Sequence, residues 1–339
     1  MHIFVDESGN FVTRNDGSAV AAVGALVVTE NQTAEFERRY AQLRPLLPKQ
    51  NGEVKGRLLG ESDVARVVDV ARRSGLIYEV DVLDLPADSA ADIEAHRAAQ
   101  CEGLTRKLTP EHHPNAVASI YALRRTLEAM PVQLYAQCTT MFDLLWRTLK
   151  HATIYYSQRE PPSLARFRWV VDAKGSSGLT PAEEWWSVAV RPMLQSRSID
   201  EPFPQIEGGD YSHLAAVEGP MPEYLVKELP RLKDATGLRI DSAFTEIEFR
   251  PEPLPGLEVV DVVTNAVRRA LTGRLDVSGY AGVAGLMIHR KGGTYVQASA
   301  FTDRNRKVPE PDASVLRQLG RGGRPMLSER WKAEVGAPR

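Results

Sequence analysis

Apolar and polar positions alternate along this chain in two periods, one of short β-branched runs and one of longer helical stripes. His2 to Val5 is a short apolar run that leads into two adjacent acids, Asp6 and Glu7, and then into the turn residues Ser8, Gly9 and Asn10. Ala19 to Thr29 is a second apolar, valine-rich run, separated from the first by a polar loop containing glycine. Together they predict an antiparallel hairpin. Phe36, Tyr40, Leu43 and Leu47 recur at helical spacing and predict a helix over 34–47, capped by Asn31 or Thr33. A glycine-bearing connection, Gly52 to Gly56, follows. Ser62 with Asp63 then opens a second helix that runs to Ser74 and Gly75, and 76–85 reads as a strand with one partly exposed face.

From Pro86 to about His151 the chain is rich in helix formers and lacks strand signals, which predicts a helical insertion that either holds a substrate or simply packs. A new strand, Phe167 to Val171, ends in Asp172 and a glycine- and serine-rich turn, repeating the layout of the opening stretch. Thr180 and Pro181 start a helix that passes Trp185 and Trp186 to about Leu194. A Pro- and Gly-rich region from 198 to 239 contains a short helical piece near 224–232, and 240–249 reads as another strand. Leu257, Val260, Thr264, Val267 and Leu271 form an apolar stripe, so 257–271 is predicted to be helical despite its valines. The alternation of strands and helices makes this an α/β chain with a mixed sheet, an N-terminal antiparallel hairpin, flanking helices and a helical insertion.

Three acids stand out against this pattern. Asp6 closes a strand of the kind usually buried in an α/β sheet, where a carboxylate needs a cation or several donors; its alternative is a turn acceptor for Ser8, Gly9 and Asn10. Asp172 repeats the arrangement at a second strand end. Asp261 sits among valines in the late helix, with Asn265 one turn on. It is explained either by an ion pair with Arg268 or Arg269 or by a site shared with the other two acids. Alternation along the first strand points Glu7 to the face opposite Asp6. The only cysteines, Cys101 and Cys138, form no paired motif, and the seven histidines show no ligand spacing. Converging hard oxygen donors favour Mg²⁺ or Mn²⁺ over zinc.

Composition sets the scale. With 339 residues, 43% hydrophobic and 25% charged, the chain can bury a large core in one domain with insertions or in two. Its formal charge of -2 is unevenly spread: from Arg290 onward 11 Lys and Arg face 5 Asp and Glu, a net +6, which leaves -8 for residues 1–289. The expected organisation is therefore a domain over 1–289, with its insertion at about 86–151, and a basic C-terminal extension over 290–339. Arg304, Arg306, Lys307, Arg317, Arg321 and Arg324 can follow a nucleic-acid backbone by charge, or form a solvated tail. The N-terminus lacks the regions of a signal peptide and no apolar run approaches the roughly 18 residues of a membrane span, so a cytoplasmic setting and no membrane partner are expected.

Three segments together, Asp6-Glu7-Ser8-Gly9-Asn10, Glu53-Val54-Lys55 and Gly256-Leu257-Glu258-Val259-Val260-Asp261, resemble the domain of unknown function 3800 family of the ribonuclease H-like superfamily. The resemblance covers roughly 1–84 and 165–273. It implies a ribonuclease H-like fold, Asp6, Glu53, Asp172 and Asp261 as catalytic and metal-binding carboxylates, Glu7 as a substitute, and Lys55 as a phosphate contact. One departure is visible: the family's late helix usually reads Gln-Leu-Ala-Asp, whereas Glu258, Val259 and Val260 precede Asp261 here. Glu258 is thus either an extra ligand or a surface charge.

The expected activity is hydrolysis of nucleic-acid phosphodiesters by a carboxylate-bound pair of Mg²⁺ or Mn²⁺ ions. Lys55, Lys174 and Arg268 are candidates for holding the phosphates, against ordinary ion-pair or surface roles. Two other functions fit the same residues: a non-catalytic module that binds nucleic acid or protein, and a metal-dependent phosphatase whose helical insertion is a lid.

Overall fold

The computed structural model describes residues 1–11, 20–84, 89–106, 108–173, 180–201, 203–214, 218–221, 223–228, 230, 233, 236–238, 240–290, 294–302 and 312–329. The two opening runs form β1 (His2–Ser8) and β2 (Val20–Val28), paired antiparallel from His2 with Val28 to Ser8 with Ala22. Helices α1 (Glu30–Leu43) and α2 (Glu61–Arg73) precede β3 (Ile77–Asp84), which pairs antiparallel with β2. Helix α1 starts earlier than its apolar stripe predicts. Gln32 accepts a hydrogen bond from the Thr29 amide at 3.0 Å, so Thr29 and not Asn31 or Thr33 occupies the cap.

Three helices follow, α3 (Ala90–Arg106), α4 (Pro114–Ala129) and the 25-residue α5 (Val132–Tyr156), before β4 (Arg168–Asp172) adds parallel to β1. Thr180 and Glu183 form a capping box at the start of α6 (Pro181–Trp185), which continues through a π turn into α7 (Arg191–Asp200). Strands β5 (Glu218–Pro220) and β6 (Thr236–Leu238) make a separate small ribbon, with α8 (Glu223–Glu228) between them. Where one strand over 240–249 was expected, a short helix α9 (Ile240–Ala243) precedes β7 (Glu246–Arg250). Phe244 is buried by stacking on Trp169, ring centroids 4.5 Å apart, so its place is fixed by that packing and not by strand alternation.

Helix α10 (Pro255–Leu271) then crosses the sheet, followed by α11 (Val277–Tyr280), β8 (Gln297–Ser299) and α12 (Asp312–Leu319). The main sheet has the order β7-β4-β1-β2-β3-β8, with β4 and β7 parallel to β1 on one side of the hairpin and β8 parallel to β3 at the far edge. The expected boundary at 289/290 therefore cuts through one sheet. The stretch beyond it supplies an edge strand, a bridge between Ile288 and Arg324, and the buried Tyr295, Val315 and Leu319. Arg324, expected to follow a phosphate backbone, instead donates to the Gly285 and Arg72 carbonyls. Charge counting does not reveal this because apolar anchors are interspersed among the arginines.

Alternation sorts the strands onto two cores. Ile3, Val5, Val23, Ala25, Trp169 and Val171 face α3 to α7, whereas Phe4, Leu26, Tyr78, Val80 and Val170 face α1, α2 and α10. By the same alternation Asp6, Ser8 and Asp172 lie on the α10 side and Glu7 on the α5 side. Burial and the nearby Glu7 both push the Cys138 thiol of α5 upward, as that placement of Glu7 requires. Among the described residues no helix is long and apolar enough to cross a membrane.

Candidate functional site

Asp172 ends β4, whereas Asp6, expected to close its strand, lies inside the neighbouring parallel β1, which continues to Ser8 through its pairing with β2. The register pairs Val5 with Val171, so the next residue on each strand is an acid, both on the same face and separated by one strand spacing of about 4.8 Å. Asp6 is buried and accepts from the Glu7 amide at 2.8 Å, while Asp172 is half-buried and pairs with Arg250 in the register of β7.

Helix α10 lies against this face because two glycines let it approach. Gly24 is the partner of Asp6 in the hairpin, and a Cβ there would lie 2.0 Å from Thr264 Oγ1 of α10. Gly256, at the other end, would meet the Phe4 ring at 2.4 Å. The helix is thereby held with Asn265 and Arg268 over Ser8, whose Oγ accepts from Asn265 Nδ2 at 3.0 Å and from Arg268 Nε at 2.9 Å. Neither Arg268 nor Arg269 forms an ion pair with Asp261 among the described residues. Arg269 donates to the Gly56, Leu59 and Arg274 carbonyls. Arg268 therefore meets Asp261 as a nearby charge and not through a direct ion pair.

Glu53 and Lys55 reach the site through a tight turn. Asn51 and Gly52 both have positive φ, 53° and 82°, and Gln50 and Glu53 exchange both backbone hydrogen bonds across them. This is the two-residue turn that Asn-Gly specifies. The chain then runs along α10: the Val54 amide donates to Glu258 Oε1 at 2.8 Å and the Gly56 amide to Asp261 Oδ2 at 2.7 Å. Two acids three residues apart on the helix thus accept from alternate amides of an extended segment.

Glu258 is neither a ligand nor a surface charge. It is fully buried and accepts from Val54, from the Tyr40 hydroxyl at 3.0 Å and from both Arg44 Nε and Nη2, at 2.7 and 2.8 Å. Its carboxylate fastens α1 and the 53–56 segment to α10.

Asp261 is in a different position. Burial raises its pKa, and Glu53 and Asp172 raise it further, while the Gly56 amide and Lys55 oppose them. Lys55 forms an ion pair with Glu53, and Glu53, Asp261 and Asp172 together hold its pKa up despite burial. The structure therefore brings Glu53, Asp172 and Asp261 into one electrostatic neighbourhood around the Lys55 ammonium, with Asp6 beside Asp172. Lys174 lies outside the described residues, as do Arg304, Arg306 and Lys307.

In this arrangement no three His, Cys, Asp or Glu side chains among the described residues converge closely enough to hold a metal ion. The donor chemistry nevertheless suits a hard divalent cation, since every candidate is a carboxylate or amide oxygen. One further acceptor is present. The Asn265 Oδ1 is buried next to the acids without a hydrogen-bond partner among the described residues, and such an oxygen is what a cation or its bound water satisfies.

Ser8, Asn265, Gly24 and Gly56 were not identified as site residues from sequence. Gly24 had a usable signal, because a glycine inside an otherwise apolar strand marks a close approach of backbone or ligand. Compared with protein-family models, curated proteins and solved structures, the chain matches none.

Proposed function

We propose that this chain is a ribonuclease H-like, metal-dependent nuclease whose carboxylate set is Asp6, Glu53, Asp172 and Asp261. The observation that carries the proposal is that Asp6 and Asp172 directly follow the paired Val5 and Val171 on adjacent parallel strands, on the face where α10 carries Asp261. Acids gathered on one face repel one another, and Asp261, whose pKa is raised first by burial and then by Glu53 and Asp172, is the member on which this is visible. The strand order, with the first hairpin strand central and later strands added parallel to it, supports the ribonuclease H-like assignment.

Bound Mg²⁺ or Mn²⁺ supplies the charge that activates water and stabilises the departing oxygen of a phosphodiester. Asp6, Glu53, Asp172 and Asp261 would hold it. Lys55 would exchange its contact with Glu53 for a substrate phosphate. Arg268 is half-buried at the same edge, makes no salt bridge among the described residues and feels Asp261 only as a nearby charge, and its guanidinium would take a phosphate oxygen. The substrate is nucleic acid, held through its backbone without sequence readout.

The test is cleavage of labelled single-stranded, duplex and hybrid RNA and DNA with Mg²⁺ or Mn²⁺, comparing wild type with Asp6→Asn and Asp261→Asn. Metal-dependent cleavage that falls by orders of magnitude in either variant is expected. Cleavage by both variants at the wild-type rate would refute the site. Binding without cleavage would favour a non-catalytic module in which Lys55 neutralises the acids.

A further inference from the structure

A second polar cluster occupies the opposite face of the sheet. Glu79 and Asp81 project from β3 beneath α5, both essentially inaccessible to solvent. Arg147 of α5 donates to Glu79 Oε2 at 3.3 Å, to Asp81 Oδ2 at 3.4 Å and to the Val80 carbonyl at 3.1 Å. His151 Nδ1 lies 3.0 Å from Glu79 Oε1, Arg290 also bonds Glu79, and Ser299 of β8 donates to Asp81 at 2.9 Å.

These acids lie behind Arg147, His151, Arg290 and Ser299, which face a cavity. A cavity of about 500 Å³ opens between α5, α7 and β8, within the range of small-molecule sites. Arg147, Lys150, His151, Arg197 and Arg290 line it, and Asp143 is the one acid on its wall among the described residues. Trp146 and Phe301 add an aromatic surface. The α5 share of the lining comes from one face of the helix, since residues 139, 143, 146, 147, 150 and 151 recur at helical spacing.

Several donors in this wall have capacity beyond their protein partners. Arg290 has a buried Nε with no acceptor among the described residues, which is costly unless a ligand supplies one. Arg197 gives Nε and Nη1 to Glu201 and Asp143, and Lys150 gives one proton to Glu201. Arg197 also lies over the Phe142 and Trp146 rings, 5.4 and 5.8 Å from their centroids, so its fork is fixed in place. Three guanidiniums, one ammonium and two imidazoles beside an aromatic surface match a phosphate attached to a ring system.

We propose that this cavity binds a small phosphorylated molecule of mononucleotide size, at a site separate from the carboxylates on the α10 face. The assignment is independent of the nuclease proposal, because it uses none of the same residues and requires no metal.

The probes are adenosine monophosphate, inorganic phosphate and adenosine, titrated calorimetrically into the full chain in the presence of EDTA. Adenosine monophosphate is expected to bind at least about tenfold more tightly than inorganic phosphate, with no heat from adenosine. Lys150→Gln and Arg197→Gln should each weaken it about tenfold, one charge-assisted contact apiece. Both are partly exposed side chains, so folding should survive their loss. Gln297→Trp, at an exposed lining position on β8, should block the cavity without disturbing the core. Asp6→Asn should bind as wild type does. The proposal is overturned if neither phosphate probe binds, if Gln297→Trp and both charge variants retain full affinity, or if Asp6→Asn abolishes binding. Equal affinity for the nucleotide and inorganic phosphate would overturn the mononucleotide size.

Discussion

The Gly56 amide meets Asp261 Oδ2 at 2.7 Å, and a Cβ on residue 56 would lie 2.8 Å from Asn265 Cβ and 2.9 Å from Val262 Cα. The hydrogen bond and the absent side chain are two aspects of one approach, in which the segment carrying Glu53 and Lys55 lies directly on α10. Gly56→Ala must therefore push segment and helix apart, because the obstructing atoms at 262 belong to backbone. A loss of about 1–3 kcal/mol is expected from urea unfolding. Cleavage should fall further than Asp261 alone would explain, since Glu53 moves with the segment. Unchanged stability would show that the segment shifts freely.

Glu258 provides the contrast with Asp261. They lie three positions apart on one helix, yet Glu258 has Arg44, Tyr40 and Val54 as partners whereas Asp261 has one amide, the Lys55 charge nearby and a set of other acids. Glu258→Ala leaves Arg44 and the Val54 amide without their acceptor, and about 3–5 kcal/mol of stability should be lost. Metal dependence of any residual activity should persist, because Glu258 holds the frame and not the ion. A variant of wild-type stability in denaturant titration would contradict the structural role.

How much of this was legible in the sequence depended on whether a feature was local. The hairpin, β4 with its terminal Asp172 and the helix start at Thr180 and Pro181 follow from short-range patterns, and each was readable. The Asn51-Gly52 dipeptide was also a local signal, and its two-residue turn is what places Glu53, the acid least tied to any predicted element. The role of Glu258 was not legible because its partners, Tyr40 and Arg44, lie more than 200 residues away and nothing near it in the chain announces them. The basic region after Arg290 hid its structural part for a related reason. Its net charge was conspicuous, whereas the three residues of β8 and the anchors Tyr295, Val315 and Leu319 are too few to form a periodic pattern. The cluster of Glu79, Asp81, Arg147 and His151 joins β3 to the helical insertion, and that contact exists only once α5 is laid across the sheet.

Asp81 gives the opposite face its own pH signature. Burial pushes its carboxyl up to about 7, against the opposing pull of Arg147 and Ser299, whereas His151, Arg290 and Arg147 hold Glu79 down at about 2. A raised acid favours the folded state when protonated, so the Asp81 contribution weakens as pH rises from its ordinary value of 3.8 towards 7. Glu79 acts in the other direction, and its contribution disappears as pH falls from 4.5 towards 2. Asp81→Asn retains an acceptor for Ser299 and removes the titration. It should flatten the stability profile between about pH 4 and 7, where wild type is expected to decline with the slope that proton linkage assigns to one shifted carboxyl. An identical slope in wild type and variant, from urea unfolding at several pH values, would remove Asp81 as its source.

On the metal-site proposal, Asp261 would link pH to metal. Its carboxyl is raised above the ordinary 3.8 by burial and by Glu53 and Asp172, so without metal its contribution to stability declines as pH rises past that value. Asp261→Asn should therefore be at least as stable as wild type in EDTA at pH 8, with the amide oxygen still accepting from Gly56. On the metal-site proposal, divalent metal should reverse the comparison. Binding requires the ionised carboxylate, so Mn²⁺ should raise the wild-type melting temperature at pH 8, and the rise should shrink as pH is lowered and protons compete for the same oxygens. At a metal concentration about 100 times the dissociation constant the stabilisation should reach about 2.7 kcal/mol. The variant should show little of it at either pH. Thermal melts of both proteins at pH 5 and 8, with and without Mn²⁺, separate the cases. An equal rise in both proteins would place the ion away from Asp261, and no rise in wild type at either pH would leave Lys55 as the counter-charge of the acids and favour the non-catalytic module.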